Sequence, residues 1–161
     1  MLKVLCGMIS SGKSTYANQK AGEGWIIVND DNVVNCVHNG NYTFYDKSLK
    51  PLYKSIEDHI LHTSVAMGKN VVIDRAHDLN DKSRARWIAL GRALDVPVQA
   101  VIFEVFSPEI HARRRTDSDA RGYDYSYWLK VAKSHADKYV CPDLQEGFES
   151  IEAVKWQSFG G

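Results

Sequence analysis

With 161 residues and 18.2 kDa, the chain has room for one domain with its own core and not for two. Hydrophobic residues make up 44% and charged residues 25%, and 20 lysines plus arginines balance 20 aspartates plus glutamates; zero net charge argues against coating long stretches of nucleic acid, so a polynucleotide would be gripped at an end or over a few nucleotides. Cys6, Cys36 and Cys141 show no paired spacing that would make a disulfide framework or zinc site, and no apolar run approaches the ~20 residues that span a bilayer.

In chain order the pattern alternates short apolar strands with helices. Residues 2–6 (LKVLC) form a first strand that runs into a glycine-rich turn, and a helix follows over 13–20. A second strand, 25–28, is stopped by Asn29, Asp30 and Asp31. Residues 49–67 carry Leu52, Ile56, Ile60 and Val65 near helical period, with Gly68 as a stop. Strand 70–74 ends on Asp74, helix 81–94 places Trp87, Ile88 and Leu94 on one side, and strand 98–105 follows. Pro108 opens another helix, 125–139 reads as helical, and 151–156 as a last short strand. The expectation is a single three-layer α/β domain over 1–161: a parallel sheet of four to five strands with helices on both faces. The start of the chain lacks a secretory apolar segment, so reducing, cytoplasmic surroundings without membrane contact are expected. Self-assembly is not indicated.

Ligands of such sheets bind beyond the carboxyl ends of the strands. There, Gly7-Met8-Ile9-Ser10-Ser11-Gly12-Lys13-Ser14 fits G-x-x-x-x-G-K-[ST] without a mismatch. Backbone N–H groups of such a loop point at phosphate oxygens, aided by the positive end of the following helix. Gly7, Ser10, Ser11, Gly12, Lys13, Ser14 and Thr15 are therefore the expected nucleotide-binding residues, with Lys13 on the β- and γ-phosphates and Ser14 on Mg²⁺. ATP and Mg²⁺ are the expected donor and metal.

Asp30 and Asp31 follow the second strand, where an aspartate can take the proton of an attacking hydroxyl; a pair of helix-capping acids is the other reading. Asp30 is the preferred base. Asp74 closes a hydrophobic strand in the Walker B manner and suits either an outer contact to Mg²⁺ or an acceptor hydrogen bond, and Arg75, His77 and Asp78 continue into the same mouth. Arg113, Arg114 and Arg115, then Arg121 before Gly122, suit a lid closing on the triphosphate, since guanidinium groups stay charged and bind phosphate bidentately. Arg115 and Arg121 are the preferred pair. Tyr42, Phe44, Tyr45 and Tyr53, with Lys47, Lys50 and Lys54 between them, suit base stacking or simply a helix with buried rings.

Together the P-loop with Thr15, the Asn29-Asp30-Asp31 turn, Val72-Ile73-Asp74, and Arg115 with Arg121-Gly122 resemble the polynucleotide 5′-hydroxyl kinase family. The segment from Pro142 through Leu144, Glu146-Gly147-Phe148 to Ile151 is similar to that family's P-x-L-x-E-G-F-x-x-I ending. The resemblance implies a P-loop kinase fold with an arginine-bearing lid and ATP-dependent phosphorylation of a 5′-hydroxyl end of DNA or RNA, with Asp30 as base, Arg121 on the phosphates, and Asp31, Asp74 and Arg75 on the acceptor side. The family often carries an arginine three residues after the base, where this chain has Val33. Two alternatives stay open. One is a kinase of another nucleic-acid hydroxyl, such as a hydroxymethylated base; the other is a kinase of a nucleoside or sugar.

Overall fold

The computed structural model describes residues 1–156; the remainder of the expected unit, 157–161, lies outside the described residues. Five strands, β1 (Leu2–Cys6), β2 (Ile26–Asn29), β3 (Val71–Asp74), β4 (Val98–Phe103) and β5 (Ser150–Val154), form one sheet in the order β2-β3-β1-β4-β5. Every pairing is parallel. Six helices connect them: α1 (Lys13–Gly22), α2 (Asp30–Val37), α3 (Lys50–Ala66), α4 (Asp81–Ala93), α5 (Pro108–Ser118) and α6 (Tyr125–Lys138).

The two-residue period of β1 distributes its side chains between two layers. Leu2, Val4 and Cys6 join Val71, Ile73, Leu61, Trp87 and Ile88 on the side covered by α3 and α4. Leu5 joins Val72, Val101, Phe103 and Ala17 on the side covered by α1. The expected three-layer architecture is thus present, with helices on both faces. Among the described residues no helix is long and apolar enough to cross a membrane.

Two stretches differ from the sequence expectation. Asn29-Asp30-Asp31 is not a simple stop: a helix begins there, as the capping alternative allowed, but the cap is Asn29, whose side chain accepts from the Asn32 N–H at 2.9 Å, while both aspartates lie in the first turn of α2. On α3 the inward residues are Tyr53, Glu57, Leu61 and Ser64, whereas Leu52 is exposed. The inner face of α3 carries polar groups because part of it walls a pocket instead of the core.

The segment with the family-like ending is structural. Arg84, fully buried on α4, donates through Nε (2.9 Å) and Nη2 (2.6 Å) to the Glu146 carboxylate, and Phe148 enters the core. This pair ties β5 to α4 and so fixes the far edge of the sheet.

Candidate active site

Because β1 lies in the middle of the sheet, residues 7–14 emerge at the centre of its carboxyl edge. The turn requires its glycines. A Cβ on Gly7 would lie 2.7 Å from Ser11 Oγ and 3.0 Å from Phe103 Cβ, and Gly12 adopts φ 99°, which side chains disfavour. Met8 and Ile9 are anchored sideways against Ala112 of α5 and Trp128 and Ala132 of α6. The Ile9 N–H donates to His135 Nδ1 at 3.3 Å, and burial, then the Lys13 charge, lower the His135 pKa to about 4, keeping this nitrogen an acceptor.

Lys13 is buried, and its ammonium donates to the carbonyls of Gly7 (2.8 Å) and Met8 (2.6 Å). Burial lowers its pKa to about 8, with Asp74 the largest charge opposing the shift. An anion delivered to this loop would restore the charge that burial disfavours. Beside it, β2 and β3 pair so that Asn29 faces Asp74, and Asn29 Nδ2 donates to the Asp74 carbonyl (3.1 Å) and to Oδ2 (3.2 Å). Burial raises the Asp74 carboxyl, opposed by the Lys13 charge and by hydrogen bonds from Asn29 and Ser14. A hydroxyl next to a carboxylate is the hard oxygen set that Mg²⁺ takes, so Ser14 and Asp74 fit the ion.

Asp30 and Asp31 lie in the first turn of α2, on the opposite side of Asp74 from the P-loop in strand order. Burial pushes the Asp30 carboxyl up to about 6; Arg75 opposes this, and Asp31 and Glu57 add to it. Arg75 is the hub of this corner, with Nε 3.7 Å from Asp30 Oδ2 and 3.5 Å from Glu57 Oε1, and Nη1 3.8 Å from Asp78 Oδ1. A guanidinium thus stands beside Asp30, carried by the residue that follows β3. Val33 is buried with Val34 and Tyr53. Asp30 and Arg75 open into a cavity of about 310 Å³ shared with Tyr42, Tyr45, Tyr53 and Lys50. Its rings stack in series, Tyr42 on Tyr45 (5.9 Å, 9°) and Tyr45 on Tyr53 (5.7 Å, 26°).

The arginines divide between the two sites. Arg114 and Arg115 line a hollow of about 290 Å³ over residues 10–15. Arg114 stacks on Phe106 (4.4 Å) and Trp156 (3.8 Å), Arg115 on Trp128 (4.7 Å), and Arg113 is exposed. Arg121 lies on the α2 side of the cleft, 3.3 Å from Asp31 Oδ2 and 4.6 Å from the Tyr42 ring. The reason is local: α5 ends at Ser118, and Asp119 accepts from the N–H groups of Arg121 (3.0 Å) and Tyr123 (2.9 Å) and from Trp128 Nε1 (3.1 Å). That turn directs Arg121 toward α2. Arg114, offered in the sequence with Arg113 and Arg115 but not preferred, lines this hollow, and His135 was missed, since the facing of α5 and the approach of α6 to the P-loop are set by tertiary packing.

The AAA domain family profile matches residues 2–135. The chain belongs to the AAA domain family. Its members' P-loop implies nucleotide binding, usually with Mg²⁺, in agreement with the site built on residues 7–15 and Asp74. No curated protein matches it in sequence. Among solved structures, a candidate kinase from Chloroflexus aurantiacus superposes with a TM-score of 0.70 at 16% identity, over 96% of this chain and 84% of that one. Kti12 from Chaetomium thermophilum, solved with ADP-AlF3, gives 0.59 at 15% identity over 97% and 89%. Shikimate kinase from Bacteroides thetaiotaomicron gives 0.54 at 14% identity over 94% and 85%. At these identities the likeness is one of fold.

Proposed function

We propose that this chain transfers the γ-phosphoryl group of ATP to a hydroxyl, and that the hydroxyl is the 5′ end of a DNA or RNA strand. The observation that carries the reading is Asp30. It is a carboxylate with a pKa near 6, held by Arg75 at the floor of a tyrosine-lined cavity, one strand beyond the Walker B position. A group of that basicity is mostly ionised at neutral pH and still accepts a proton in the transition state.

In this reading the loop amides and Lys13 hold the phosphates, and Arg114 and Arg115 neutralise charge on the transferring group. Ser14 and Asp74 hold Mg²⁺, which screens the phosphate oxygens when bound. Asp30 removes the acceptor proton as the hydroxyl oxygen bonds to the γ-phosphorus; the bond to the β-γ bridging oxygen breaks, and ADP leaves. Tyr42 and Tyr45 offer faces on which bases stack, while Lys50 and Lys54 reach the strand's phosphates. The fold likeness to proteins described as kinases supports the reaction class, and the sequence resemblance supports the acceptor.

A second reading, a small polyol or nucleoside acceptor, draws on the cavity's modest size and on the pairing of Arg86 with Glu57 (2.9 Å) and Asp58 (2.6 Å), which leaves less free positive charge for a polymer. Transfer of labelled γ-phosphate with Mg²⁺ should be measured across 5′-hydroxyl oligonucleotides, hydroxymethylated DNA, nucleosides and sugars. Label on the oligonucleotides is expected. Label confined to small acceptors selects the second reading, and label on nothing despite tight ATP binding contradicts both.

A further inference from the structure

Resting on that reading, we infer that Arg121 serves the Asp30 pocket and not the triphosphate: it is a specificity residue that binds an anionic group of the acceptor, and Asp119 is the positioning residue that presents it. Three observations lead there.

The first is the loop's construction. The Asp119 carboxylate gathers the N–H groups of Arg121 and Tyr123 and the indole N–H of Trp128, and Gly122 takes φ 80°. Three hydrogen bonds on one carboxylate give the tip of the α5–α6 connection a defined shape and tie it to α6 through Trp128. A loop that merely covered solvent would need no such internal template.

The second is where the template points. Arg121 Nη2 lies 3.3 Å from Asp31 Oδ2, with the guanidinium 4.6 Å from the Tyr42 ring, and both Asp31 and Tyr42 line the acceptor cavity. Burial, followed by the Asp31 charge, pushes the Tyr42 phenol up to about 12, which keeps the ring neutral and its face available to the cation. Arg114 and Arg115 line the hollow over the P-loop, whereas Arg121 lines neither that hollow nor the acceptor cavity and stands at the mouth of the latter through its contacts to Asp31 and Tyr42. The triphosphate side already has two guanidinium groups.

The third is that the contact is exchangeable. Arg121 and Asp31 keep 40% and 48% of their side-chain surface, and an ion pair this exposed contributes little. A phosphate arriving at the mouth can replace Asp31 as the partner, with the bidentate geometry guanidinium favours. Asp31 thus parks Arg121 at the entrance, and the acceptor's anion takes it over. Acceptors bearing a phosphate near the hydroxyl are favoured over neutral ones.

The test is a pair of titrations. Binding of MgATP and of a 5′-hydroxyl oligonucleotide is measured separately for wild type, Arg121→Ala, Arg121→Lys, Asp119→Ala and Arg115→Ala. Arg121→Ala is expected to weaken the oligonucleotide about tenfold, the loss of one charge-assisted hydrogen bond, and to leave MgATP within about twofold. Arg115→Ala is expected to do the reverse. Arg121→Lys recovers part of the loss. Asp119→Ala weakens the oligonucleotide in the wild-type background and adds nothing on top of Arg121→Ala, because both act through one guanidinium. In turnover, Arg121→Ala raises the acceptor KM and leaves the ATP KM in place. A tenfold loss of MgATP affinity in Arg121→Ala overturns the inference, and so does an Arg121→Ala protein that binds both ligands like wild type. If wild type phosphorylates no hydroxyl, the kinase reading falls on that result alone, while the two titrations still decide which site Arg121 serves.

Discussion

Around Lys13 the cleft is made by consecutive residues of one turn, whereas around Asp30 it is assembled from α2, the turns before α3, α3 itself, β3 and α4. In the first region, backbone groups and one ammonium do the binding, and the glycines that permit them are visible as a string of letters. In the second, the chemistry resides in side chains that meet only after folding: Arg75 reaches Asp30, Glu57 and Asp78 from the end of another strand. On the proposed reading, donor recognition is local and general, and acceptor recognition is distributed over several elements. Val33 is buried with Val34 and Tyr53, yet Asp30 has a guanidinium beside it, because Arg75 approaches from the end of β3, the strand beside β2.

Four changes sharpen or break this contrast. The largest effect is expected from Lys13→Ala. Removing the cation should lower turnover by about 10³-fold and weaken MgATP while sparing acceptor binding, as judged by titration of each ligand. Arg75→Ala should lower turnover by about 10²-fold without weakening MgATP. Loss of its positive charge from among Asp30, Glu57 and Asp78 should also move the acid limb of the pH–rate profile upward, because Arg75 is what holds the Asp30 carboxyl down.

The pH dependence itself should have two limbs of different origin. Asp30 works as the carboxylate, so kcat/KM should fall about tenfold per unit as pH drops below about 6. Lys13 binds phosphate as the ammonium, so MgATP affinity should fall as pH rises past about 8, and binding near pH 9 should take up a proton, measurable by calorimetry in buffers of different ionisation enthalpy. The smallest effect on the cleft is expected from Glu146→Ala. Stranding the buried Arg84 should cost about 3 kcal/mol in denaturant unfolding, yet the folded protein should bind MgATP normally.

The legibility of the sequence followed the same division. The strands, the P-loop turn and the place of Asp74 at a strand end could be read because each depends on neighbours in the chain. Helix α2 surfaced only as the capping alternative at Asp30 and Asp31, since Val33, Val34 and Val37 lower the helix propensity of a short segment. On α3 the period placed Ile56, Ile60 and Val65 correctly against the core; what it could not show was the inward Glu57, satisfied by Arg86 at 2.9 Å, a partner 29 residues away. Arg121 was found, but its neighbours Asp31 and Tyr42 could not be read, because they depend on the Asp119 turn, a feature of three hydrogen bonds with no spacing rule.

The central claim is that Asp30 does chemistry in the acceptor half while the donor half stands on its own. The most direct test combines labelled γ-phosphate transfer with MgATP titration on Asp30→Asn. The expected result is a loss of transfer of about 10²-fold or more with MgATP affinity within about twofold of wild type. Transfer at the wild-type rate, or a loss matched by an equal loss of MgATP affinity, would contradict the account.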